Sequence, residues 1–121
     1  MDLFRNIVLV GAGSFVGGAL RYGVSLLFRT DLAFPWPTFA VNMVGCLLIG
    51  LIIGWSSRLS QDWTLLLMVG LCGGFTTFST FSKESLLLLQ NNAYAMFLLY
   101  ILGSVLFGIS LVALGWWITK L

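Results

Sequence analysis

Gly70-Leu71-Cys72-Gly73-Gly74-Phe75-Thr76-Thr77-Phe78-Ser79-Thr80-Phe81-Ser82 lies inside an apolar run that extends from about Trp63 to Leu89. Two adjacent glycines, Gly73 and Gly74, are followed by five hydroxyl residues interleaved with Phe75, Phe78 and Phe81. Glycine gives up roughly 1 kcal/mol of helix propensity relative to alanine, and β-branched threonine loses rotamer freedom against the preceding turn. This local chemistry predicts a helix broken at the glycine pair. In a lipid surrounding such a break survives only where it is buried in protein or lines a watery cavity, with its carbonyls turned to a ligand. The other reading is an intact helix with a Ser/Thr packing face, since these side chains also hold membrane helices together.

The surroundings are lipid. Of 121 residues, 60% are hydrophobic and 8% charged, with a mean hydropathy of +1.05, whereas a soluble domain carries roughly 25% charged residues. A spanning helix needs about 20 apolar residues, so the length admits one domain of four or five crossings. Histidine is absent and only four residues are acidic, which removes His-based triads and leaves metal hydrolysis and paired-carboxylate catalysis without parts; an enzyme is not expected. A net charge of +2, scattered along the chain, makes no nucleic-acid footprint. Cys46 and Cys72 lack CxxC spacing and read as small buried hydrophobes.

On either side of the third run, charges and turn residues mark three more. The first covers about residues 7–28, interrupted by Arg21, and is followed by Arg29-Thr30-Asp31 and the two prolines Pro35 and Pro37. The second covers about 38–55 and ends at Ser56-Ser57-Arg58; the third covers 63–89, and the fourth 93–118. Arg5 precedes the first run as in a signal peptide, but the run continues through Arg21 without an A-x-A cleavage site and reads as a mature span. Trp36, Trp55, Trp63, Trp116 and Trp117 fall close to segment ends, at headgroup level. Gly13 with Gly17, and Gly50 with Gly54, form GxxxG faces for close helix approach.

Four crossings put both termini on one side, with Arg5, Arg58 and Lys120 facing Arg29 and, if near the surface, Arg21 and Lys83. So weak a positive-inside bias permits insertion both ways, and an antiparallel homodimer follows as the expectation.

Ionisable and amide side chains inside a membrane are functional candidates by default. Arg21 either snorkels to the interface or serves a vestibule. Asn42 follows Thr38 by four residues and shares its helix face, as a donor in a pathway or as an interhelical glue. Glu84 is the one carboxylate close to an apolar run, either a proton or cation site or half of an interfacial pair with Lys83. Phe78 and Phe81 share a face bordered by Thr77, Ser79, Thr80 and Ser82. Conduction of an anion asks for partial positive charge without a fixed cation that would trap it. Hydroxyl and amide donors meet that condition, as do the positive edges of phenyl rings, and the set suits a small, strongly hydrated anion. Four helices hardly enclose such a path alone, so assembly is expected.

Gly17 to Arg21 (GGALR), Thr38 to Asn42 (TFAVN) with Gly45, and Gly70 to Ser82 followed by Glu84 together resemble the Fluc (CrcB) family of bacterial fluoride channels, over essentially the whole chain. The resemblance implies an all-α membrane protein whose third helix is broken at mid-membrane. It further implies an antiparallel, dual-topology homodimer in the bacterial plasma membrane, with two fluoride pores built from both subunits. A structural sodium ion at the centre would be held by the backbone carbonyls of Gly73 and Thr76. By the same match Asn42, Phe78, Phe81, Ser79, Thr80 and Thr38 line the fluoride pore, and Arg21 and Glu84 the vestibule. On the fourth helix only Ser104 matches the family's polar lining. Small dual-topology multidrug exporters share the length and hydropathy, but proton-coupled cation export needs an acid in the first span, and 7–28 has none. A non-transporting scaffold would not need the glycine, hydroxyl and phenyl cluster.

Overall fold

The computed structural model describes residues 2–29, 31 and 33–121; Thr30 of the first polar loop lies outside them. Four helical stretches among these residues, Leu3–Ser25, Trp36–Arg58, Gln61–Gln90 and Tyr94–Ile118, are long and apolar enough to cross a bilayer. Helix α1 (Leu3–Ser25) starts ahead of the apolar run because the Asp2 carboxylate caps it, accepting from the N–H groups of Phe4 and Arg5 at 3.1 and 3.3 Å. Helix α2 (Trp36–Trp55) opens with Pro37 in its first turn, where a missing N–H costs nothing, and runs into a 3₁₀ turn at Ser56–Arg58.

The third span is composite. It comprises α3 (Gln61–Thr64), a π-helical stretch Leu65–Cys72, α4 (Gly73–Phe75) and, after an interval, α5 (Ser79–Gln90). A Schellman motif closes α5: Asn92 takes the left-handed conformation at φ 57°, and the N–H groups of Asn92 and Ala93 donate to Leu89 O and Leu88 O at 3.0 and 2.8 Å. Helix α6 (Tyr94–Ile118) then runs without interruption.

Two glycine seams hold these elements together. On the first, α1 lies against the π-helical stretch and α4: a Cβ at Gly13 would strike the Leu66 carbonyl, one at Gly17 the Leu71 carbonyl, and one at Gly74 would come within 2.6 Å of Ser14 O. On the second, α2 lies against α6, where a Cβ at Gly50 would strike Val112 O and one at Gly115 would come within 2.5 Å of Leu47 O. The two GxxxG faces are therefore used inside one chain, with backbones in contact. Cys72 is fully buried on the first seam and Cys46 half-buried, its sulfur 3.4 Å from where a Cβ at Gly108 would stand.

The ends of the bundle differ in chemistry. At one, an Arg5–Asp62 ion pair ties the start of α1 to α3, at the start of the third span just after the middle loop, and Lys120 Nζ reaches Gly54 O at 3.4 Å, 5.5 Å above the Trp116 ring. Both chain ends and the middle loop thus meet there. The opposite end carries Arg29, paired with Asp31 at 2.9 Å, and the α5–α6 turn.

Candidate functional site

Between α4 and α5 the helix is interrupted. Thr76 is extended at φ −85° and ψ 159°, and regular helix resumes at Ser79. The glycine pair, where the local chemistry predicts the break, keeps to helix: Gly73 has φ −62° and ψ −36°. The interruption follows it instead, for two reasons. Gly74 is small because the α1 backbone passes at Ser14, and the conformation at Thr77 is held from α2. Asn42 Oδ1 accepts the Thr77 N–H at 2.8 Å while Asn42 Nδ2 donates to Thr77 O at 3.1 Å. An amide side chain so placed does what a neighbouring strand would do, satisfying both polar groups of one residue.

The remaining backbone groups sort accordingly. Cys72 O accepts from Thr76 N at 3.0 Å and Thr76 Oγ1 at 2.8 Å, and Gly74 O accepts from Arg21 Nε at 3.2 Å. A continuous helix would direct the N–H of Thr77 to Gly73 O and that of Thr80 to Thr76 O. The first goes to Asn42 and the second to Thr77 Oγ1, at 3.2 Å. Gly73 is exposed, and a Cβ added there would meet nothing within 4 Å.

Beyond the interruption the aromatic residues form a chain of rings. Phe78 is 78% exposed and its centroid lies 5.8 Å from that of Phe81; Phe81 packs at 4.8 Å on Tyr100, and Tyr100 at 5.4 Å edge-on to Phe34. Tyr100 has no exposed surface, and its hydroxyl donates to Glu84 Oε1 at 2.8 Å and lies against the Thr38 hydroxyl. This tyrosine was not anticipated from sequence. The available signal was a phenol well inside the fourth apolar run, where a buried hydroxyl has to find a partner. Ser104, one helical turn further along α6, has a buried Oγ without a hydrogen-bond partner among the described residues.

Arg21, Thr38, Thr77, Thr80 and Glu84 are brought together on the wall of one open cavity of about 720 Å³, with Arg29 and Asn91 at the end of the bundle away from the termini. Arg21 does not simply snorkel outward, since its Nε is tied to the interrupted helix. Glu84 is engaged by Tyr100; the ion pairs among the described residues are Arg5–Asp62 and Arg29–Asp31, so Lys83 is not its partner. Ser79 stands beside the cavity, its Oγ 3.4 Å from Thr77 Oγ1. Asn42, Phe78, Phe81 and Ser104 are off that wall, Asn42 bonded to Thr77 and the rings stacked toward Tyr100.

Comparison with known proteins gives the setting for this geometry. Residues 8–116 match the family model described as CrcB-like protein, Camphor Resistance (CrcB). The chain is 47% identical over 120 residues to the fluoride-specific ion channel FluC of Phocaeicola vulgatus, covering 96% of this chain and 99% of that protein. It is 48% identical over 108 residues to the fluoride-specific ion channel FluC of Methylobacterium nodulans, covering 86% of each chain. With the protein of the same name from Oceanobacillus iheyensis it shares 43% over 114 residues, covering 92% of this chain and 88% of that one.

Proposed function

The chain belongs to the CrcB-like family, whose named relatives are ion channels and not enzymes, and from that premise we propose that it is a fluoride-specific channel that lets the ion leave the cell down its electrochemical gradient. The observation that carries the reading is near-half identity to fluoride-specific channels along nearly the full chain. Fluoride accumulates in a cell as weakly acidic HF re-dissociates, and passive export lowers its toxicity without nucleotide or covalent chemistry.

The residues suit each stage of such a passage. The cavity offers water and the Arg21 guanidinium, whose Nε is spent on Gly74 O, so that the cation draws anions while staying at the rim. Hydroxyls of Thr38, Thr80 and Ser79 and the second amide hydrogen of Asn42 then replace water as neutral donors. Phe78 and Phe81 offer ring edges, and the unpartnered hydroxyl of Ser104 a further donor. Neutral donors bind a small anion favourably yet release it, which conduction requires.

Assembly as an antiparallel, dual-topology homodimer in the plasma membrane completes the reading, with the interruption at mid-membrane and each of two pores shared between subunits. Two features support it. The phenyl group of Phe78 and the backbone at Gly73 stand open on the single chain. Three basic residues at the end that carries the termini, Arg5, Arg58 and Lys120, are matched by Arg21, Arg29 and Lys83 toward the other, which leaves orientation undirected.

A structural sodium ion fits the same interruption. No group of three His, Cys, Asp or Glu side chains that could hold a metal occurs among the described residues, so the ligands would be carbonyls. Gly73 O and Thr76 O, whose helical donors are engaged elsewhere, are hard oxygens suited to such a cation. Bound there, sodium would supply positive charge to carbonyl dipoles and so tie the interruptions of two copies together.

Reconstitution tests the function. Purified protein in liposomes, with potassium and valinomycin setting the voltage, is expected to pass fluoride and to retain chloride. Equal chloride efflux, or no fluoride efflux, overturns the reading. Loss of an imposed proton gradient coupled to an organic cation would favour the exporter reading instead, although α1 carries no acid within the membrane.

A further inference from the structure

We infer that the side chains of Asn42 and Thr77 create the cation site, each by drawing an amide N–H away from one of the two carbonyls that would hold the ion. The inference rests on the sodium reading above. Asn42 Oδ1 takes the Thr77 N–H at 2.8 Å, and with it the donor that a continuous helix would give to Gly73 O. Thr77 Oγ1 takes the Thr80 N–H at 3.2 Å, and with it the donor for Thr76 O. A carbonyl deprived of its donor at membrane depth bears a desolvation penalty, and a cation relieves it by restoring the missing positive charge.

Three of the neighbouring carbonyls are already occupied. Cys72 O is taken by Thr76, Gly74 O by Arg21 and Thr77 O by Asn42 Nδ2 at 3.1 Å. The glycines are not the cause, since Gly73 keeps helical angles and Gly74 is required by the approach of α1. Both clamps lie within one chain, so each copy prepares its own two oxygens before any partner arrives. Asn42 and Thr77 are thus positioning residues: neither touches the cation, and each frees one of the two oxygens proposed to hold it.

Thermal unfolding of the purified protein in detergent tests this without reference to flux. Sodium chloride is titrated against potassium chloride at constant ionic strength, and the slope of Tm against the logarithm of sodium concentration is read. The wild type is expected to gain Tm with sodium and not with potassium. Thr77→Val keeps the shape and removes the acceptor, and Asn42→Ala removes the other clamp; each is expected to flatten the slope. Thr77→Ser, which keeps the hydroxyl, is expected to restore it, and Ser110→Ala on α6 to match the wild type. Wild-type slopes in both Thr77→Val and Asn42→Ala overturn the inference and leave the sodium reading standing. A wild type indifferent to sodium overturns the sodium reading, and the inference with it.

Discussion

Helix α6 and the third span are alike in composition and unlike in behaviour. Both are leucine-rich and carry hydroxyl residues, yet α6 is regular from Tyr94 to Ile118, whereas the third span passes from α to π geometry and is interrupted before α5. The difference lies in what the hydroxyls do. Ser110 on α6 donates to Leu106 O at 2.7 Å, as Ser82 and Ser85 on α5 donate to Phe78 O and Phe81 O at 2.9 and 2.8 Å. Each bonds one turn back and leaves the backbone ladder in place. Thr77 instead accepts an N–H, while Asn42 captures another. A hydroxyl that gives a proton tolerates a helix; one that takes an amide proton competes with it.

Six substitutions probe this contrast. The largest effect is expected from Gly17→Val, whose side chain would fall on the Leu71 carbonyl and push α1 off the third span; a loss of about 3 kcal/mol or more is of the size overpacking produces. Size-exclusion chromatography should show no monodisperse protein. Gly50→Val, which would strike Val112 O on the other seam, is expected to do the same, and a well-behaved Gly17→Val would show that the third span yields where α6 does not. Next, Phe81→Ile is expected to reduce fluoride efflux from liposomes to background while elution volume stays at the wild-type value. Phe107→Ile on α6, a ring with 61% of its surface exposed, should conduct normally; the reverse pattern would place the path on the wrong helix.

A smaller and more diagnostic effect attaches to Ser104. Removing a buried, unpartnered hydroxyl relieves a desolvation penalty of about 1 kcal/mol, so Ser104→Ala should unfold at a higher temperature and pass fluoride more slowly. Faster unfolding would mean that the hydroxyl has a partner in the assembled protein. Smallest of all, Ser110→Ala should change stability by no more than about 0.5 kcal/mol and leave efflux unaltered, as a hydroxyl bonded back to its own helix predicts.

Part of this contrast between α6 and the third span is legible in the chain and part is not. Apolar run length and the near-absence of charge define four candidate spans, because the bilayer thickness imposes a length on each. The Gly73-Gly74 pair with its hydroxyls marks the third span as unusual for the same local reason that propensities exist. The residue at which the helix yields is another matter. Asn42 and Thr77 are 35 residues apart, and no pattern within either run shows that one amide side chain meets the other's backbone. The π-helical stretch Leu65–Cys72 was equally hidden. Its leucines, methionine and valine are ordinary helix-forming company, and its geometry goes with a long-range contact, α1 packing on it with Ser14 Oγ donating to Gly70 O at 3.3 Å. Tyr100 lies in the span that looked least functional, and its link to Glu84 joins residues on two different helices.

The gathering of both chain ends and the middle loop at one pole of the bundle, with the cavity at the other, has an electrical meaning. In an antiparallel pair each membrane face would present one copy of each pole. The two faces would then be the same surface, and an ion crossing outward through one pore would meet the same sequence of groups as one crossing inward through the other. Such a pair would not rectify: its current–voltage curve in symmetric solutions would be an odd function, and only the gradients across it would set the direction of flow.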